Sequence, residues 1–259
     1  MNNLSLNYTS QGEGEPLLII HGLFGSSRNW RSLGKQFAQH YRVILLDLRN
    51  HGDSPFDPAI DYELMVKDVL GLMDGLGIQS AHVLGHSMGG KVAMKLCQHY
   101  PDRVKKLVVA DIAPVAYQHD YDEVINPVLE LNLADIKNRK DADEQLKKVM
   151  PDQRVRLFIL QNLSFYEGKP SWNLNWVAVK KSMSLITGFE DIKDWQIHNP
   201  SLFIRGGLSE YVTQQSCDLI LEHFTEVQFF TIDNAGHWLH AEHPVAFHDA
   251  VLKFIHDSA

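Results

Sequence analysis

The chain has 259 residues, 44% apolar and 22% charged, which suits one large globular domain or two small ones and excludes a disordered, collagen-like or membrane-embedded chain. Its net charge of −8 at pH 7, with no run of Lys or Arg, argues against nucleic acid or an anionic membrane surface as a partner. Two cysteines, Cys97 and Cys217, are too few for a disulfide framework or a thiolate zinc site, and both fall in helix-like stretches, as expected of reduced thiols in the cytoplasm.

Residues 1–7 show no basic region followed by an apolar run, so no secretory signal is expected, and no apolar stretch approaches membrane-spanning length. Residues 4–9 alternate, which predicts an edge strand. Leu17-Leu18-Ile19-Ile20, ended by His21-Gly22, is the first apolar run, and Val43-Ile44-Leu45-Leu46, ended by Asp47, is the second. Ala81-His82-Val83-Leu84, Leu107-Val108-Val109-Ala110, Leu202-Phe203-Ile204 and Val227-Gln228-Phe229-Phe230 follow. Near-continuous apolarity predicts strands buried on both faces. Helix-like segments at 62–76, 88–99, 213–223 and 244–256 supply the crossovers that parallel strands require. The fold class is α/β, a mostly parallel central sheet flanked by helices.

About ninety residues between the fourth and fifth of these runs break the rhythm. They show charge-rich helical stretches, such as 134–150, scattered aromatics and no strong strand signal. A structureless loop of that length is improbable in a compact domain. The expectation is a helical cap over residues 113–197, set above the C-terminal edge of a core made from 1–112 and 198–259. Most of its aromatics are expected to fill a small core of its own. No internal repeat is present, and nothing in the sequence specifies an oligomeric state.

Gly85-His86-Ser87-Met88-Gly89 stands between a predicted strand and a predicted helix. In that setting G-x-S-x-G forms a strained turn that holds the serine above the sheet at the positive end of a helix. Ser87 is the candidate nucleophile, and the amide of Met88 is one oxyanion donor. The loop His21-Gly22-Leu23-Phe24-Gly25-Ser26, after the first buried strand, offers Leu23 as the second. Fourteen histidines make presence uninformative, so context decides. His237, in the loop between the last strand and the last helix, follows the serine in the expected chain order and is the candidate base. His240 and His243 read as solvated or capping, and His21 and His51 as structural or pocket-lining. Phe24, His86 and Trp238 flank these groups and are candidate substrate-binding residues.

The acid is divided. Its usual place, Gly-x-x-Asp after the seventh strand, reads Gly206-Gly207-Leu208-Ser209-Glu210, with a serine at the acid position and Glu210 one residue late. Asp111, leaving the strand next to the nucleophile, needs a partner and ranks first. Glu210 ranks second and Asp233 third.

Together with Asp47-Leu48-Arg49-Asn50-His51-Gly52-Asp53-Ser54 and Asp111-Ile112-Ala113-Pro114-Val115, these motifs resemble the α/β-hydrolase superfamily. More closely they are similar to small bacterial YbfF-type acyl esterases, which have a mitochondrial abhydrolase-domain relative. The resemblance implies Asp111 as the acid, a helical cap, hydrolysis of short acyl esters or thioesters, and no cofactor. Neither a P-loop nor an H-E-x-x-H motif is present, and no metal site is expected. Arg49 could bind an anionic group; a salt bridge that ties its loop down is the plainer expectation. The same triad also serves perhydrolases, C–C hydrolases, lyases and ligand-sensing hydrolases.

Overall fold

The computed structural model describes residues 3–257. The seven strands of the main sheet are β1 (Tyr8–Gln11), β2 (Pro16–Ile20), β3 (Arg42–Leu46), β4 (Ala81–His86), β5 (Val104–Ala110), β8 (Ser201–Gly206) and β9 (Val227–Ile232). They lie in the order β1-β3-β2-β4-β5-β8-β9, all parallel except β1, which runs antiparallel to β3. Each apolar run of the sequence has become one of these strands.

The edge strand starts later than the alternation predicts. Among the described residues before Tyr8, two amides are satisfied by side chains. The Leu4 amide donates to Asp68 and the Asn7 amide to Ser54 Oγ, both at 2.8 Å. Leu6 points into the core, 4% exposed.

Alternate strand residues feed two apolar clusters. Leu18, Ile20, Ile44, Leu46, Val83 and Val109 face α2 (Tyr62–Gly75) and α3 (Met88–His99). Leu17, Ile19, Val43, Leu45, Leu84 and Val108 face α1 (Arg31–Phe37) and α11 (Pro244–His256). Strands β2–β5 and β8 read as near-continuous apolar runs because both faces are covered; β9, expected to be buried likewise, lies at the edge of the sheet with Gln228 and Phe230 exposed. Helix α9 (Gln214–His223) completes the crossover between β8 and β9, and the short α10 (Leu239–Glu242) precedes α11. Chain connections leave β2 and β4 in opposite directions. The crevice between their C-terminal ends is the topological switch point, where α/β sheets hold ligands.

Between β5 and β8 the chain forms α4 (Asp122–Glu130), α5 (Arg139–Leu146), α6 (Gln153–Leu160), β6 (Leu163–Tyr166), β7 (Lys169–Trp172), α7 (Trp176–Lys181) and α8 (Met183–Thr187). The hairpin β6–β7 departs from the all-helical expectation. Its two-residue turn, Glu167-Gly168, has φ of 48° and 76°, the left-handed pair that a tight hairpin needs. The strands are too short, and Pro170 too unlike a strand residue, to have signalled it.

The aromatics here do not form a separate core, contrary to expectation. They reach across to the sheet domain: Trp176 packs on Phe24 (5.2 Å between ring centres), Phe189 on Tyr62 (5.6 Å) and Phe158 on Trp238 (5.4 Å). One continuous apolar cluster runs from the sheet into this segment. No helix among the described residues is long and apolar enough to cross a membrane.

Candidate active site

Ser87 lies between β4 and α3 with φ 52° and ψ −121°, a strained conformation for a residue with a side chain. The turn is possible because Gly85 and Gly89 lack side chains. A Cβ on Gly85 would run into the Gly89 carbonyl, and one on Gly89 into that of Ile20. The Ser87 amide donates to Ala110 O at 3.0 Å, so the end of β5 fixes the turn.

Three side chains converge at the C-terminal edge of the sheet. His237 Nε2 lies 3.0 Å from Ser87 Oγ, and His237 Nδ1 lies 2.7 Å from Asp111 Oδ2. A carboxylate only accepts, so Nδ1 carries the proton and Nε2 presents its lone pair to the serine hydroxyl. Asp111 is fully buried, at φ 51°, and its carboxylate is well satisfied. The Gly206 amide donates to Oδ1 at 3.0 Å, and the Ser209 hydroxyl donates to Oδ2 beside His237. The structure thus brings Asp111 to His237. Glu210 and Asp233 are exposed side chains with no bond to the imidazole.

His237 is held on several sides. Tyr211 stacks on its ring at 3.9 Å and 19°. His86 donates from Nε2 to the His237 carbonyl at 2.8 Å. His86 is buried and its ionisation is pushed well below the usual range, so it stays neutral. His240 is a correction to the sequence reading: it is buried and stacks face to face on Trp30 (4.3 Å, 8°), where burial pushes its ionisation down to about 3. His86 thus packs between His237 and His240, 4.8 and 4.5 Å from their ring centres. His243 stands at the N-cap position of α11 but makes no side-chain capping bond; its Nε2 lies 3.2 Å from Asn234 O. Neither Tyr211 nor His240 carried a local motif; their roles come from packing between distant segments.

Among the described residues, neither the Leu23 nor the Met88 amide donates to a protein acceptor. Leu23 and Met88 line a small cavity that also touches Ser87. The Leu23 loop is braced both from the sheet side and from the insertion. His21 Nδ1 donates to Gly22 O (2.8 Å) while His21 Nε2 accepts from the Leu48 amide (3.0 Å), and buried Asn162 donates to Phe24 O (2.8 Å). Phe24 itself sits at φ 60°. Asn162, invisible in the sequence because it lies in the segment without motifs, is the buried polar link from the insertion to this loop. Arg49 makes a buried two-point pair with Asp68 of α2 (2.7 and 2.9 Å), so it secures the loop and does not face the site.

A cavity of about 730 Å³ opens at Ser87, lined by Phe24, His86 and Trp238 together with Val124, Phe158 and Ile159 from the insertion. A second chamber, of about 20 Å³, meets it at Ser87. Lys91 also lines that chamber. Its ammonium donates to Thr187 O (3.0 Å) and Gly188 O (2.9 Å), and burial pushes its ionisation down to about 7. Glu63, His99 and Glu190 form a cluster of metal-ligand type away from this site. The Lys95 ammonium occupies its centre, 2.8 and 2.9 Å from the two carboxylates.

Residues 15–244 match the family described as alpha/beta hydrolase fold. The chain is 36% identical over 249 residues to Esterase YbfF of Escherichia coli (strain K12), covering 96% of each. It is 38% identical over 247 residues to the sn-1-specific diacylglycerol lipase ABHD11 of Mus musculus, covering 92% of this chain and 80% of the relative. Among solved structures, one described as a marine microorganism esterase superimposes with a TM-score of 0.94 at 37% identity, over 97% of this chain and 100% of the other. With the strand–turn–helix serine at the switch point of a parallel sheet, these matches show that the chain belongs to the alpha/beta hydrolase fold family, with esterases and a lipase as its relatives.

Proposed function

We propose that Ser87, His237 and Asp111 form the catalytic triad of an ester hydrolase that cleaves short-chain acyl esters or acyl thioesters through an acyl-enzyme. The observation that carries this reading is the continuous chain Ser87 Oγ–His237–Asp111, with His237 in the tautomer that can accept the serine proton. His237 takes that proton as Oγ attacks the carbonyl carbon. The amides of Leu23 and Met88 receive the developing oxyanion, and their freedom from protein acceptors supports that role. His237 then protonates the leaving alcohol or thiol, and water resolves the acyl-enzyme. Buried Asp111 holds the imidazole in place and stabilises its charged form. The insertion over residues 113–197 is the cap of this site and bounds the substrate, since Phe158, Ile159 and Tyr121 line the cavity. No step requires a metal or an organic cofactor.

A fluorophosphonate tests this directly. It is expected to label one residue, Ser87, and Ser87→Ala is expected to abolish labelling and lower kcat by about 10⁶-fold. Labelling of another residue, or turnover retained in Ser87→Ala, would contradict the reading.

A further inference from the structure

The two chambers at Ser87 differ in size and in which catalytic groups they touch. The cavity of about 730 Å³ is bounded by His237 and Trp238. The chamber of about 20 Å³ is bounded by Met88 and Lys91 and does not reach His237. This asymmetry bears on how an ester must lie. Once the carbonyl oxygen points at the Leu23 and Met88 amides, the acyl chain and the leaving oxygen point in different directions from the carbonyl carbon. The leaving oxygen has to receive its proton from His237 Nε2, so the alcohol lies on the His237 side. The acyl chain then lies on the other side.

We infer that the two chambers divide the substrate, the small one taking the acyl group and the large one the alcohol, so that the preferred substrates are acetyl-sized esters of bulky, largely apolar alcohols. The inference rests on the serine-hydrolase reading above and specifies its substrate. The Ser87 Oγ–acyl bond forms as the acyl–alkoxide bond breaks, and the proton lost by Ser87 passes through His237 to the departing alkoxide. Water then releases acetate and restores the serine.

Volume and rigidity both limit the acyl group. A water molecule needs about 10–15 Å³ of such space, so 20 Å³ admits a methyl group and little more. Ile186 and Thr187, which line the small chamber, are pinned by Tyr62 and Lys91 of the core and by Tyr117 of the insertion itself. Tyr62 donates to Ile186 O at 2.6 Å, the Tyr117 amide to Thr187 O at 2.9 Å, and Lys91 to Thr187 O and Gly188 O. Deepening the chamber would break several buried hydrogen bonds at once. The large cavity is of the size that takes drug-sized ligands, and Phe24, Val124, Phe158, Ile159 and Trp238 make its walls apolar.

Octyl acetate and ethyl octanoate test the division, because they are isomers of equal apolarity with the long chain on opposite sides of the ester. With the pure full-length protein, kcat/KM for octyl acetate is expected to exceed that for ethyl octanoate by roughly tenfold or more, the scale on which a pocket rejects extra methylenes. Equal values, or a preference for ethyl octanoate, would overturn the assignment. Ile186→Ala, which removes part of that lining, is expected to narrow the ratio; a folded variant with an unchanged ratio would also overturn it. The wild-type comparison decides the matter even where that variant does not fold. Ser87→Ala run on both esters separates the two readings. If it is inactive while the wild-type preference is reversed, only the division of the substrate fails. If it still cleaves both, the serine mechanism itself fails.

Discussion

Ser209 donates its hydroxyl hydrogen bond to the Asp111 carboxylate, from the loop position after β8 where a Gly-x-x-Asp arrangement would place the acid itself. The carboxylate comes instead from the end of β5, and the vacated position supplies a donor to it. His237 receives the same support from a different strand.

This relationship sets the order of three substitutions. Asp111→Asn keeps the shape but removes the charge that fixes the imidazole tautomer, and is expected to lower kcat about 10⁴-fold. Ser209→Ala removes one of three donors to a buried charged group, a loss of about 1.5–3 kcal/mol, and is expected to lower kcat by tens-fold. Glu210→Gln, on an exposed side chain without a bond to His237, is expected to leave kcat within about twofold. Steady-state kinetics on one acetyl ester measures all three; a crippling Glu210→Gln with a mild Asp111→Asn would contradict the assignment.

Asn162 reaches from the insertion to the carbonyl of Phe24, next to the Leu23 amide. Asn162→Ala leaves that carbonyl without its partner and loosens the loop. The expected result is a fall in kcat of about tenfold with little change in KM, because an oxyanion donor acts in the transition state more than in substrate binding. A change confined to KM would show that Asn162 shapes the pocket only.

Acid sensitivity follows from the buried imidazoles. Burial pushes the ionisation of His51 and His240 down from 6.5 to about 3, and that of His86 well below 6.5. The unfolded chain takes up protons below pH 6.5 that the folded chain refuses. Stability is therefore complete above about pH 6.5 and is lost as pH falls towards 3, by about 1.4 kcal/mol per pH unit for each such group. Urea unfolding at about pH 7.5 and about pH 5 measures it; equal unfolding free energies would contradict the neutral, buried state of these rings.

Lys91 moves stability over another range. Its ionisation is pushed down from 10.5 to about 7, so between these values the unfolded chain holds a proton that the folded chain has released. Stability conferred at this position therefore rises with pH above 7, by about 1.4 kcal/mol per unit. Comparing wild type with Lys91→Met at about pH 7 and about pH 8.5 isolates the effect from other titrating groups. The variant's advantage is expected to shrink as pH rises; an advantage independent of pH would contradict it.

What the sequence disclosed divides along physical lines. Every strand buried on both faces was legible because continuous apolarity has no other cheap explanation in a chain of this length. Ser87 was legible because its turn demands particular glycines, and His237 because chain order limits where a base can stand. Residues brought together only by packing left no local trace. Tyr211, His240, Asn162 and Lys91 lie in four separate segments, and each acquires its role from a neighbour far along the chain. Ser209 was visible but read only as a failed acid, since hydrogen bonding to a distant carboxylate cannot be inferred from its own neighbours. The β6–β7 hairpin was hidden by its brevity.

The central claim is that the acyl group passes through a covalent bond to Ser87. Mixing the protein with excess para-nitrophenyl acetate, quenching in acid within the first turnovers and mapping the peptides by mass spectrometry tests it most directly. A burst of para-nitrophenol and an acetyl group on the peptide that contains Ser87 are expected, both absent in Ser87→Ala. An acetyl group carried by a different residue, on a protein that turns over normally, would contradict it.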